Sequence, residues 1–88
     1  MAIVMIPALL RRLSGGRDRV TVAGKNLREV IADLDRQFPG FREELIRDGD
    51  LKPSIAVSID GEVETGGLLD AVRENSEIHF LPAIGGGL

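Results

Sequence analysis

Residues 26–40 of this 88-residue chain read NLREVIADLDRQFPG and contain its clearest helix pattern. Asn26 is a favoured capping residue, and Glu29 three positions later completes a capping-box pattern. Apolar residues then recur with the spacing of one helical face, at Leu27, Val30, Ile31, Leu34 and Phe38. Pro39-Gly40 is a helix stop. The stretch therefore predicts one amphipathic helix whose apolar face must be covered.

Two hairpins and a final strand surround this helix in the sequence. The apolar residues 2–7, ended by Pro7, predict a strand near a sheet centre, and 14–18 form a long turn into the alternating strand 19–22. After the polar stretch that contains residues 48–50, residues 55–59 and 62–64 flank the tight-turn dipeptide Asp60-Gly61.

Residues 66 and 67 are glycines that precede a short helical turn around Leu68–Val72, and the last strand is 77–81, ended by Pro82. This order predicts an α+β fold, with a mixed sheet of four or five strands and one main helix packed across one face. That arrangement is the β-grasp, or ubiquitin-like, fold. We expect it to occupy residues 1–82, followed by a flexible glycine tail over 83–88.

Strand alternation separates a buried face from an outward face. The helix should cover Val4, Ile6, Val20, Val22, Ile55, Val57, Ile59, Ile78 and Phe80. The opposite face should carry Ile3, Met5, Ala56, Ser58, His79 and Leu81. If the first and last strands are neighbours, this second set is a partly apolar patch that predicts docking to a protein partner.

Composition excludes several functions. The chain has no cysteine and one histidine, His79, so disulfides and thiolate metal sites are excluded and a Ser/His/Asp triad is implausible. A net charge of −3 argues against nucleic-acid binding. The apolar opening is too short to cross a membrane and lacks a signal-peptide pattern. We expect a cytoplasmic protein that is not an enzyme and has no catalytic or metal-ligating residues of its own.

The three glycines 85–87 follow the last strand after the short segment Pro82-Ala83-Ile84. A glycine carboxylate has no side chain, so it fits a narrow channel and can approach the α-phosphate of a nucleotide. Attack there gives an acyl-adenylate, from which a sulfur donor can displace AMP and leave a thiocarboxylate. The partner must then supply the phosphate contacts and Mg²⁺.

Four stretches carry a resemblance to a known family: 6–11 (IPALLR), 27–34 (LREVIADL), 38–40 (FPG) and 80–87 (FLPAIGGG). Together they resemble the molybdopterin-synthase small subunit and thiamine sulfur-carrier family, and within it the cysteine-biosynthesis sulfur carriers. The resemblance implies that Gly87 of the Gly86-Gly87 pair bears the thiocarboxylate, with Ile84 and Gly85 leading to it. It also places Arg11, Phe80 and Leu81 at or near the partner interface, which Met5 and His79 of the outward face would extend.

The resemblance also implies partners. A ubiquitin-activating-like adenylyltransferase would use ATP and Mg²⁺ on the tail, and a sulfur-accepting enzyme would be cysteine synthase-like or a molybdopterin-synthase large subunit. Leu88 departs from the family pattern, in which the diglycine ends the chain. Either a JAMM-type zinc protease removes Leu88, or it is an expression remnant, or this member has lost the carrier role; we favour a processed precursor.

Three alternatives to that carrier remain open on the sequence. The chain could be the small subunit of molybdopterin synthase, whose tail enters the active site of a large subunit. It could be a β-grasp interaction module without sulfur transfer. It could also be a protein modifier, since an adenylated diglycine can end as an isopeptide on lysine.

Overall fold

The computed structural model of the protein describes residues 1–82, so the predicted tail residues Ile84, Gly85, Gly86, Gly87 and Leu88 lie outside the described residues. The strands are β1 (Ala2–Met5), β2 (Arg19–Val22), β3 (Ile46–Arg47), β4 (Asp50–Leu51), β5 (Ile55–Ile59), β6 (Glu62–Glu64) and β7 (Glu77–Pro82). The helices are α1 (Leu27–Gln37) and α2 (Phe41–Leu45), with 3₁₀ turns at Ala8–Leu10 and Gly67–Leu69.

Five strands form one mixed sheet in the order β2-β1-β7-β5-β6. β1 and β7 are parallel neighbours, with Val4 opposite Ile78, and the other pairs are antiparallel. α1 covers one face with Leu27, Val30, Ile31 and Leu34, all fully buried. The predicted architecture and the predicted contact between the first and last strands are thus confirmed.

The start of α1 differs from prediction in one detail. Asn26 Oδ1 accepts a 2.9 Å hydrogen bond from the Glu29 N–H, as expected for a cap. Glu29 Oε1, however, accepts from the Lys25 N–H at 2.8 Å and not from Asn26. Residues 25–27 also pair with 70–72 through Leu27 N–H to Asp70 O and Val72 N–H to Lys25 O. The Glu29 side chain therefore caps the backbone N–H one residue earlier than the capping-box pattern indicated.

The core contains the predicted residues with one exception and several additions. Ile55 was expected inside but is only partly buried, because it begins β5 at the rim of a groove. α2 and the β3–β4 hairpin lie in a stretch that the sequence indicated only as polar, so the buried Phe41 and Leu45 were not predicted. The helical turn expected over 68–72 is the shorter 3₁₀ turn Gly67–Leu69, since Asp70 returns to extended geometry at ψ 132°.

The Asp60-Gly61 turn fixes the start of β7. Both residues have positive φ, 52° and 87°, as the tight turn requires. Asp60 Oδ1 accepts from the Glu77 N–H at 2.9 Å, and Oδ2 accepts from the Ser76 hydroxyl at 2.8 Å. These bonds, the Glu77 N–H first, together with the charge of Arg73, lower the pKa of Asp60. The turn is therefore tied to the central strand that leads toward the tail.

A second carboxylate joins α1 to the sheet. Asp33 Oδ2 accepts from the Ala23 N–H at 2.9 Å, directly after β2, and Oδ1 pairs with Arg36. The Ala23 N–H, followed by Arg36, lowers the pKa of Asp33. Gln37 Nε2 also donates to the Thr21 carbonyl at 2.9 Å. Side chains of α1 thus form hydrogen bonds with the backbone in and directly after β2.

Candidate docking site

The sheet face opposite α1 has no helix over it among residues 1–82, and we call it the outer face. One row of cross-strand neighbours on it runs from Arg19 through Met5, His79 and Ser58 to Val63. Leu81 lies on the same face opposite Ala56 and is 40% exposed. Ser58 lies on the outer face as predicted but is only 8% exposed, because it is a small residue between the larger His79 and Val63.

Val63 is an outer-face residue that the sequence analysis did not assign. It is 66% exposed on the edge strand β6. Val63 pairs with Ser58 across the hairpin, and directly opposite residues lie on the same face of a sheet. Because alternation had placed Ser58 outward, the same face could have been predicted for Val63. Val63 extends the apolar part of the outer face to the edge of the sheet.

All five residues expected to dock a partner line one hollow of about 280 Å³ at the end of β7: Met5, Arg11, His79, Phe80 and Leu81. Pro7 and Asp18 complete much of its wall. Strand pairing brings Met5 beside His79, and the turn after β1 returns Arg11 to the same place. The structure therefore gathers positions as far apart in the sequence as Met5 and Leu81.

The side chains in this hollow differ in accessibility. His79 Nε2 lies 2.8 Å from Glu77 Oε1 on the outer face, with the imidazole 37% exposed. Arg11 Nε donates to the Ile6 carbonyl at 3.1 Å, which holds the guanidinium beside the end of β1. Phe80 is 4% exposed and belongs to the core, as alternation predicted, so it contributes to the wall of the hollow and little free surface.

A second groove of about 270 Å³ adjoins the first and shares Pro7, Phe80 and Leu81 with it. The 3₁₀ turn supplies Leu9 and Leu10, and α2 supplies Leu45. Leu9 is 86% exposed, the most exposed of the large apolar residues in the described range. Leu9 was not predicted as a surface residue, because a three-residue turn has no periodicity to show which side faces solvent. Apolar surface thus flanks both sides of Leu81, just before the tail begins.

Neither a metal cluster nor a membrane span is present in the part of the chain that the structure describes. Within residues 1–82, no three or more His, Asp or Glu side chains come together as possible metal ligands. No helix in that range is long and apolar enough to cross a bilayer. The notable surface is the docking site beside the tail.

A mixed five-stranded sheet crossed by one main helix, with its central strand leading to a glycine-rich segment, defines a small β-grasp protein of the ubiquitin-like class. Within that class the chain belongs to the ThiS family, whose sequence profile matches residues 4–87. The resemblance seen in the sequence is thereby confirmed.

Similar proteins agree with this assignment. The sulfur carrier protein CysO of Mycobacterium tuberculosis (strain ATCC 25618 / H37Rv) is 33% identical over 96% of each chain. A chain in the crystal structure of the Amycolatopsis orientalis BexX/CysO complex superposes with a TM-score of 0.91 at 30% identity, covering 99% of this chain and all of that one. Small archaeal modifier protein 1 of Methanosarcina acetivorans superposes at 0.79 with 25% identity, covering 98% and 95%. The mycobacterial relative is named a sulfur carrier and the archaeal one a modifier.

Proposed function

We propose that this chain is a sulfur carrier whose Gly87 carboxylate is adenylated and then converted to a thiocarboxylate. The observation that carries the proposal is the ThiS-family match, which extends through residue 87 and so includes all three tail glycines. The 33% identity to a protein named as a sulfur carrier, over 96% of both chains, supports the same role.

In the proposed reaction the chain is a substrate. A Gly87 carboxylate oxygen attacks the α-phosphorus of ATP, pyrophosphate leaves, and an acyl-adenylate forms. A sulfur nucleophile then attacks the acyl carbon and AMP leaves. If the donor is an enzyme persulfide, a thiol must reduce the resulting acyl disulfide to release the thiocarboxylate. ATP, Mg²⁺ and the groups that stabilise the developing charge belong to a ubiquitin-activating-like adenylyltransferase.

The docking site supports a partner-dependent role. Leu81 and the apolar walls on both sides of it lie where the chain leaves the sheet toward the tail, so an enzyme that holds this surface would also receive the glycines. Arg11 adds a positive charge at the rim of the hollow. We propose that the adenylyltransferase and the sulfur-accepting enzyme use this surface in turn, because both must reach the same tail.

Cysteine biosynthesis is the pathway class that we propose for the sulfur, with a cysteine synthase-like acceptor, because the named carriers are CysO proteins. Leu88 must be absent from the loaded form, since a leucine isobutyl group does not fit a channel shaped for glycine. A JAMM-type zinc protease is the proposed trimming enzyme. A stable complex with a large pterin-site subunit would instead indicate molybdopterin synthesis, a related cofactor pathway.

A second candidate is a protein modifier. It is favoured by the likeness to a small archaeal modifier protein at 25% identity and a TM-score of 0.79. The two roles share activation of the tail and differ in what attacks the activated carbonyl, a sulfur nucleophile in one and a lysine amine in the other.

The deciding experiment is the intact mass of the untagged protein recovered from its native cells. A chain ending at Gly87 with one oxygen replaced by sulfur is the result we expect. Higher-mass conjugates that yield a Gly-Gly remnant on lysine after proteolysis would favour the modifier. Leu88 retained on all of the protein, even under sulfur demand, would overturn both and leave an interaction module.

A further inference from the structure

The helix side of the molecule contains a separate cavity of about 310 Å³, between α1, α2 and the β3–β4 hairpin. Its floor is apolar. Ile31 is fully buried, Leu68 is 6% exposed, and Ile46 is partly buried. None of its lining residues belongs to the outer face or to the two grooves beside Leu81. A ligand here would leave the docking site free.

Two arginines at the rim are the charged residues among those that line the cavity. Arg28 reaches it from the first turn of α1, and Arg42 from α2. Among the described residues neither side chain forms an ion pair with a carboxylate. The nearby Asp35 accepts from the Gly40 and Arg42 N–H groups through Oδ1. Both charged side chains that line the cavity are therefore cationic, although the chain as a whole carries a net charge of −3.

The third part of the rim is bare backbone. Gly49 lies at the turn of the β3–β4 hairpin with φ 79°, and a Cβ placed on it would meet no atom within 4 Å. Its neighbours Asp48 and Asp50 do not line the cavity, and Asp50 Oδ1 accepts from the Leu51 N–H at 2.8 Å. The opening beside Gly49 leaves room for another chain to pass close to the backbone.

We propose that this cavity binds an acidic peptide segment of a partner protein, with an apolar side chain in the cavity and flanking carboxylates on Arg28 and Arg42. Guanidinium groups suit this ligand, because their planar donors match carboxylate geometry. The cavity is at the lower end of the roughly 300–1,000 Å³ range of small-molecule pockets, so it suits one or two apolar side chains better than an enclosed ligand. Such anchors with charged neighbours are a common mode of peptide recognition.

A partner bound in this cavity would form a second contact with the chain, independent of the docking site beside Leu81. A protein held here can stay bound while the tail is loaded or unloaded at the other surface. The inference does not rest on the sulfur-carrier role, since the cavity residues are described directly and no step involves the tail.

The test uses the ¹⁵N-labelled full chain and a blocked hexapeptide of alternating glutamate and leucine. We expect saturable amide shifts centred on Arg28, Ala32 and Gly49, which weaken as NaCl is raised, because exposed charge pairs are screened by salt. The double variant Arg28→Glu/Arg42→Glu should lower the affinity by about tenfold or more, since each change replaces an attraction with a repulsion.

Matched variants separate the cavity from general charge effects. Arg17→Glu/Arg19→Glu makes the same change in net charge away from the cavity and should leave the affinity within about twofold, since surface charges beyond a Debye length are largely screened. Ala32→Leu introduces a strong helix former at an exposed α1 position that lines the cavity, so it should reduce binding without unfolding the helix.

Four results would overturn the inference. They are absence of saturable shifts at millimolar peptide, equal loss of affinity in the Arg17/Arg19 variant, equal binding of a glutamate–serine hexapeptide, and concentration-dependent shifts at the cavity without any peptide. The last would mean that a second copy of the chain occupies the cavity.

Discussion

Gly24 is where one methyl group should decide whether α1 can dock onto the sheet. The residue connects β2 to α1 with φ 150°. A Cβ built on it would lie 2.7 Å from the Val30 nitrogen and 2.9 Å from the Glu29 Cβ. Neither atom can rotate away, because both belong to the first turn of α1, where the Val30 N–H donates to the Asn26 carbonyl at 3.0 Å.

The expected loss of stability for Gly24→Ala has two parts. Overpacking in a well-packed region costs about 1–3 kcal/mol, and a non-glycine residue in the left-handed half of backbone space costs about 1–2 kcal/mol. We therefore expect a loss of about 2–5 kcal/mol from a total that is typically about 5–15 kcal/mol. The change should be a loss of global stability, since Asn26 and Asp33 connect this segment to the core helix.

Urea unfolding followed by circular dichroism measures this loss. The matched control is Gly15→Ala, because Gly15 also has positive φ, 66°, but a Cβ there would meet nothing within 4 Å. The control should therefore lose only the backbone part, about 1–2 kcal/mol. If Gly24→Ala is no less stable than Gly15→Ala at an unchanged m-value, the close approach of this segment to α1 is refuted.

Further predictions concern the tail, the docking site and acid stability. Gly87→Ala should slow adenylation by the activating enzyme while leaving the urea midpoint unchanged; normal loading would contradict the carrier role. Leu81→Asp should weaken binding to that enzyme by about tenfold with little loss of stability, since Leu81 is 40% exposed, whereas Leu69→Asp, at a 75% exposed position away from the grooves, should leave binding unchanged. Because the folded pKa values of Asp33 and Asp60 are lowered, both carboxylates stabilise the protein above the unfolded value of about 3.9, and this contribution is lost as the pH falls through the folded pKa. Asp60→Asn should flatten the acid limb of a stability profile, and an unchanged limb would show that the Glu77 and Ser76 bonds do not stabilise the ionised form.

Periodicity was enough to predict the sheet and its main helix. Four residues of the predicted helix face, Leu27, Val30, Ile31 and Leu34, are buried, because an eleven-residue helix repeats its apolar face several times. Phe38, predicted to continue that face, lies in extended backbone just after the helix and is partly buried. Strand alternation likewise placed Ile78 inside and Leu81 outside. It also placed Ser58 correctly on the outer face. Its low exposure of 8% could not be predicted, since exposure depends on the size of its neighbours on two other strands.

The docking site could be predicted only in part. Met5 and His79 follow from alternation once β1 and β7 are adjacent, and Arg11, Phe80 and Leu81 followed from the family resemblance. Their meeting in one hollow depends on the 3₁₀ turn after β1, which is too short to leave a periodic pattern. The same turn exposes Leu9, so the most exposed apolar residue beside the tail had no sequence marker.

The largest part of the fold that was not predicted is α2 with the β3–β4 hairpin. Its absence from the prediction also explains why the cavity on the helix side was not foreseen. α2 has five residues, and only Phe41 and Leu45 face the core, so a single i, i+4 pair among charged residues resembled a polar connection. The hairpin strands are two residues each, below the length at which alternation is informative. Together with α1 and Leu68 of the second 3₁₀ turn, they line the cavity on the helix side. A polar segment between predicted elements can thus supply both core residues and a concave surface. Arg28 and Arg42 come to line one cavity only when that segment folds against α1.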